Sequence, residues 1–165
     1  MLTLKRIRYP EDRADYEAAW DWMRKQPELY GEDVGFDDFD DFILPDSLSR
    51  IEFALKQDGH LIAFAYFVLR ARKVCEFGLV TPLRPRVRSI LVLLRRLQRD
   101  YFENLGFIAL YAQYPDDSKY DRPRRLCRMF GWHERKPNYF EYTILDFLRE
   151  HWNQEEAHNQ SACAV

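Results

Sequence analysis

Leu2–Arg8 alternates apolar and basic residues at the two-residue period of a strand. Pro10-Glu11-Asp12 then opens a segment with Ala14, Ala18, Ala19, Trp22 and Met23 at helical spacing, and Pro27 is expected to stop that helix. Between Gln26 and Ser49 the aromatics Phe36, Phe39 and Phe42, with Ile43, recur at three- and four-residue steps, which predicts short helices docking one apolar face. Ile51, Phe53 and Leu55 alternate with Glu52, Ala54 and Lys56, and Asp58-Gly59 separates them from the apolar run Leu61–Arg70. An Asp-Gly pair between two such runs predicts a hairpin. After the basic turn Arg70-Ala71-Arg72-Lys73, Val74–Val80 predicts a third strand of the same meander, ending at Thr81-Pro82.

The period then changes. Val87, Ile90, Leu91, Leu94, Leu97, Tyr101 and Leu105 mark a long amphipathic helix closed by Gly106. Phe107–Tyr114 is an unbroken apolar and aromatic run, expected to be a strand buried on both faces. Asp121 caps a short helix with Pro123 in its first turn and Leu126, Met129 and Phe130 on its buried side, and Gly131-Trp132 ends it. Tyr139–Leu145 is a last strand, and Asp146–His158 a closing helix. The order predicts an α/β fold with a mixed, mostly antiparallel sheet flanked by helices: one domain over 1–146, then a C-terminal helix and frayed tail over 147–165.

At 165 residues one domain is expected, and 47% hydrophobic residues with 32% charged ones exclude disorder and low complexity. A net charge of -2 gives no global attraction to nucleic acid or an anionic membrane. The charge is instead segregated. Gln26–Ser49 holds eight acidic residues (Glu28, Glu32, Asp33, Asp37, Asp38, Asp40, Asp41, Asp46) and no Lys or Arg, while Phe77–Arg99 holds six arginines (Arg84, Arg86, Arg88, Arg95, Arg96, Arg99) and no acid. Cys75, Cys127 and Cys163 are an odd, widely spaced set that suggests neither disulfides nor zinc, so a reducing compartment is expected. The longest apolar stretch, Leu61–Leu69, is short of the roughly 20 residues of a membrane span, and no signal-peptide core is present, which points to the cytoplasm. His60, His133, His151 and His158 form no ligand set, and Asp37–Asp41 lacks the glycine and glutamate of a calcium loop, so no metal is expected. A nucleophile elbow, a phosphate loop and a dinucleotide fingerprint are absent.

The element order over Leu2–Leu145, together with Val80-Thr81-Pro82 and Leu126-Cys127-Arg128-Met129-Phe130-Gly131-Trp132, resembles the GNAT (N-acetyltransferase) superfamily. Those two segments are similar to the family's V-x-P at the end of its fourth strand and its L-Y-x-x-x-G-F turn before the sixth. The resemblance implies acyl-CoA bound where the fourth and fifth strands splay, with the pyrophosphate on main-chain N–H groups of an R-G-x-G-x-G/A loop opening the next helix. Here that stretch is Leu83-Arg84-Pro85-Arg86-Val87-Arg88-Ser89-Ile90, without glycine. Its Cβ atoms would keep phosphate off the main chain, and Pro85 removes a donor. Guanidinium forks of Arg84, Arg86 and Arg88 can replace that cradle. The cofactor-binding candidates are therefore Val80, Arg84, Arg86, Arg88 and Ser89. The resemblance also implies Glu76 as general base and places Cys127 where the family has its general-acid tyrosine; a thiol can still donate a proton. The plainer alternatives are a rim carboxylate Glu76 paired with Arg70 or Arg72, and arginines that form a solvated helix face or pair with the chain's own acidic stretch.

The glycine-free loop, crowded arginines and aromatic strands also resemble degenerate GNAT-like proteins of tailed phages. That resemblance implies a non-catalytic virion-assembly or protein-interaction role, in the infected cytoplasm or the virion, with a virion or host protein as partner. A second reading is an acyl-CoA-dependent N-acetyltransferase using acetyl-CoA on an amine, with Glu76 taking the proton and a strand N–H holding the oxyanion. A third is an adaptor or inhibitor that offers its acidic stretch to a nucleic-acid enzyme. Neither a membrane nor nucleic acid is an expected partner, and on the residues alone both enzyme and non-enzyme readings stand.

Overall fold

The computed structural model describes residues 1–30, 38–43, 50–71 and 73–151. In chain order these form β1 (Leu2–Ile7), α1 (Arg13–Arg24), α2 (Pro27–Tyr30), α3 (Phe39–Ile43), β2 (Arg50–Gln57), β3 (His60–Ala71), β4 (Val74–Val80), α4 (Val87–Glu103), β5 (Ala109–Gln113), a 3-10 turn (Ser118–Tyr120), α5 (Asp121–Met129), β6 (His133–Lys136) and β7 (Tyr139–Thr143). A helical segment follows at 144–151. Phe36, Arg72, Cys163, His158 and the acids Glu32, Asp33, Asp37 and Asp46 lie outside the described residues.

The strands make one seven-stranded sheet in the order β1-β2-β3-β4-β5-β7-β6. Every neighbouring pair is antiparallel except β4 and β5. The β2–β3 hairpin turns on Asp58 and Gly59, both at positive φ (52° and 81°), which an Asp-Gly pair tolerates and most residues do not. A second hairpin joins β6 to β7 through Pro137-Asn138, with Asn138 at φ 62°. Proline sets the first turn position and asparagine accepts the left-handed second one.

The sheet buries both faces. On one, Phe53, Leu55, Ala65, Phe67, Cys75 and Leu110 pack against Ile90, Leu93, Leu94, Leu97, Tyr101 and Phe102 of α4 and against Cys127 and Phe130 at α5. On the other, Ile7, Ala54, Phe64 and Val80 meet Tyr16, Ala19 and Met23 of α1 and Phe42 of α3. Each fully buried leucine or phenylalanine contributes about 1.5–3 kcal/mol from its removal from water. No helix among the described residues is long and apolar enough to cross a membrane, and no His, Cys, Asp and Glu group among them could hold a metal.

Several boundaries differ from the sequence expectation. Pro27 does not stop α1, which ends at Arg24; it is the first residue of α2, where its missing N–H costs nothing. The run Phe107–Tyr114 gives a strand only over Ala109–Gln113: the N–H of Ile108 goes to Lys73 O and its carbonyl accepts Ile144 N–H, and Gln113 is exposed. The last strand ends at Thr143, which caps the following helix in a reciprocal box. Asp146 accepts from Thr143 N–H and Oγ1, both at 2.9 Å, and Asp146 N–H returns to Thr143 Oγ1 at 3.3 Å. The helix therefore starts at 144, and Phe147 packs into the main core beside Phe102.

Candidate functional site

The site forms where the parallel pair comes apart. β4 and β5 align at Val74↔Ala109, Cys75↔Leu110 and Glu76↔Tyr111 and then diverge, β5 continuing only with β7. From Phe77 to Val80 the edge of β4 that faces β5 meets no strand among the described residues. A cleft of about 190 Å³ fills the wedge, walled by Phe77, Gly78 and Leu79 of β4, Tyr114 and Pro115 after β5, and Leu126 and Cys127 of α5. Tyr30, Tyr66 and Trp132 close it from the two sheet faces.

Gly78 is required by one close approach. A Cβ there would lie 2.0 Å from Tyr66 Cζ, so the phenol ring rests directly on the strand. The Arg50 guanidinium sits 4.7 Å from the centre of that ring, and burial pushes the Tyr66 hydroxyl up to about 12. Arg50 itself is buried and paired with Glu52 at 2.8 Å, and Glu52 accepts from Tyr16. Tyr30 reaches the open edge of β4: its hydroxyl donates to Leu79 O (3.4 Å) and accepts Thr81 N–H (3.2 Å), while Gln26 Nε2 donates to Thr81 O (2.8 Å). Across the wedge, Tyr114 Oη and Cys127 Sγ are 3.8 Å apart. Burial, reinforced by the neighbouring thiol, holds the Tyr114 hydroxyl well above its ordinary value, and burial pushes the Cys127 thiol up to about 12. Both stay protonated at neutral pH.

No family model and no curated protein matches the chain. Solved structures do. The spermidine N-acetyltransferase from Vibrio cholerae in complex with CoA and spermine superposes with a TM-score of 0.66 at 13% identity, over 89% of this chain and 98% of that one. Campylobacter jejuni N-acetyltransferase PseH in complex with acetyl coenzyme A gives 0.55 at 18% identity, over 86% and 96%. An acetyltransferase-like structure of the GNAT family from Desulfovibrio desulfuricans gives 0.62 at 11% identity, over 87% and 99%. The chain has the GNAT fold. In that frame the wedge between β4 and β5 is the place where the sequence resemblance located acyl-CoA.

The GNAT cleft gathers some of the candidate residues and leaves others outside. Glu76 lines it at the fork, held by Arg70 through Nη2 at 2.6 Å and Nε at 2.8 Å, with Tyr111 Oη at 3.4 Å. It is thus both a cleft residue and the paired rim carboxylate of the plainer reading. Cys127 lines the cleft as well. Val80 does not: its side chain is 1% exposed and packs in the α1 core, so it offers only its main chain. Arg84, Arg86 and Arg88 are exposed around the start of α4 and do not line the cleft, and Ser89 Oγ donates to Gln57 Oε1 at 3.0 Å. The start of α4 is partly spent, because Val87 N–H donates to Pro85 O at 3.0 Å. The described acids of α2 and α3 lie on the sheet face opposite α4, and none of these three arginines pairs with them.

Sequence reasoning missed Tyr30, Tyr66, Tyr114 and Arg122 as cleft residues. For Tyr66 the available signal was Gly78, an isolated glycine inside a strand pattern, which marks a close approach. Tyr114 ends an aromatic run that reads as core, and nothing in the spacing separates it from its neighbours.

Proposed function

We propose that the chain is an acyl-CoA-dependent N-acetyltransferase acting on an amine. The observation that carries this reading is the edge of β4 past Glu76 that meets no strand among the described residues, opening a largely aromatic and aliphatic cleft with a carboxylate at its fork. The acetyltransferase names of the structures sharing the fold support it. An extended amide-containing arm would suit this cleft: its walls are largely aromatic and aliphatic, with polar groups at its ends, and its strand edge offers main-chain groups. A diphosphate does not fit the start of α4 as a main-chain cradle, since glycine is absent and one N–H is already used.

Bound acetyl-CoA would supply the activated carbonyl. Glu76 sits where it can accept the proton an attacking amine loses, either directly or through water. Main-chain N–H on the free edge of β4 can stabilise negative charge on the carbonyl oxygen. Tyr114, kept neutral, can protonate the leaving thiolate, with the Cys127 thiol fixing its hydroxyl. Amine-dependent release of free CoA thiol from acetyl-CoA is the direct assay. Glu76→Gln should lower the rate about 10²- to 10⁴-fold, and no thiol release with any primary amine between pH 6 and 9 would refute the reading.

A second reading, a GNAT scaffold that binds a protein partner without turnover, draws on the glycine-free start of α4 and its exposed arginines. It predicts no affinity for acetyl-CoA and retention of a virion or host protein by the basic face.

A further inference from the structure

Among the described residues lining the cleft, two carry an acidic or basic side chain, the carboxyl of Glu76 and the guanidinium of Arg122. They lie apart along β4. Glu76 marks the fork, whereas Arg122, in the first turn of α5, donates from Nη1 to Leu83 O at 3.4 Å, in the loop that follows the strand. Four residue steps of strand lead from Glu76 to Val80, about 13 Å at the usual rise, and Leu83 lies beyond. The cleft is therefore negative at one end and positive at the other.

The negative end is already compensated by Arg70. The positive end is not: Arg122 is exposed and has no carboxylate partner among the described residues. Its neighbour Asp121 is engaged by Arg124 Nη1 at 2.8 Å and so does not neutralise it. A guanidinium has five N–H donors, and the Leu83 carbonyl uses one, leaving a planar fork that suits two phosphate oxygens.

We propose that Arg122 is the phosphate-binding side chain of this cleft, gripping the diphosphate of a CoA-type ligand at the loop end and so orienting its thioester toward Glu76. The inference rests on the acetyltransferase reading for the identity of the ligand. It moves the anion contact from the main chain at the start of α4, where Val87 N–H is spent and no glycine admits a phosphate, to a side chain on α5.

The test compares coenzyme A with pantetheine, the same arm without the diphosphate and the 3′-phosphoadenosine, and with dephospho-coenzyme A, which keeps the diphosphate, by titration calorimetry. A loss in Arg122→Ala that dephospho-coenzyme A does not share overturns the diphosphate assignment. Wild-type protein should bind coenzyme A more tightly than pantetheine. Arg122→Ala should lose about ten- to a hundredfold in affinity for coenzyme A, the range of a charged hydrogen-bonded contact, and nothing for pantetheine. Arg122→Lys should fall between, because an ammonium keeps the charge but not the fork. Arg122 is exposed, so an unchanged melting temperature will show that the variants fold. Unchanged coenzyme A affinity in Arg122→Ala overturns the proposal while leaving the acetyltransferase reading intact, as does an equal loss for pantetheine. A wild-type protein that binds none of the three ligands overturns both.

Discussion

Replacing Gly78 by alanine probes the cleft floor with little other chemistry. The new Cβ would stand 2.0 Å from Tyr66 Cζ and 2.4 Å from its Cε2 and Oη, against a comfortable contact of about 3.5 Å. The ring must retreat by roughly 1.5 Å, away from β4 and into the space held by the Arg50 guanidinium. Forcing extra volume into a packed site costs about 1–3 kcal/mol, partly offset by the roughly 0.5–1 kcal/mol that alanine gains over glycine in a strand. The net loss should be about 1 kcal/mol and no more than about 2.5 kcal/mol, at roughly 2–4 °C in melting temperature per kcal/mol for a domain of this size. Urea denaturation measures it. Tyr66→Ala alone removes a large side chain and is costly, but adding Gly78→Ala to it should cost nothing further, because the clash has gone. Strictly additive losses in the double variant would refute the argument that Tyr66 lies on the strand at Gly78.

Three further outcomes follow from the site and its surroundings. Cys127, held near 12, should be about one part in ten thousand thiolate at pH 8 and resist alkylation in a Cys163→Ser background until the chain unfolds; peptide-like reactivity in the native state would contradict its burial. Asp146 is pushed up by burial, but the Thr143 N–H and hydroxyl outweigh this and hold it below the usual carboxylate value. A lowered native value means stability that is present above about pH 4 and lost as pH falls through the native value, so Asp146→Ala should cost about 1 kcal/mol in urea at pH 7 and progressively less toward pH 2; a pH-independent difference would be wrong. Tyr114→Phe should lower kcat for acetyl transfer at least about tenfold with little change in the acetyl-CoA dissociation constant, and an unchanged kcat would remove Tyr114 as proton donor.

The helices and the β2–β4 meander were legible because their signals are local. Asp58-Gly59 supplies the two positive-φ positions of its turn. Gly131-Trp132 ends α5 in the expected way, with Gly131 at φ 78°, Trp132 N–H bonded to Cys127 O and Gly131 N–H to Arg128 O. β6 was not legible as an apolar pattern. His133-Glu134-Arg135-Lys136 is a fully exposed edge strand whose charges protect it from further pairing, and only Pro137-Asn138 betrays its turn. Site residues divide the same way. Glu76 could be placed because strand alternation fixes its face, whereas Val80, on that same face, passes under α1 and is buried by a helix distant in sequence. Arg84, Arg86 and Arg88 stand out by their crowding. Arg122 does not, because its position in the cleft depends on how α5 docks across the end of β4, a tertiary relation that no local spacing encodes.

Calorimetric titration with acetyl-CoA bears most directly on the whole account. The wedge between β4 and β5 should take up one molecule per chain with a dissociation constant well below about 1 mM, the affinity that corresponds to roughly 4 kcal/mol, and bulky substitution of Gly78 should abolish the heat. Binding absent at millimolar ligand, or binding indifferent to Gly78, would contradict it.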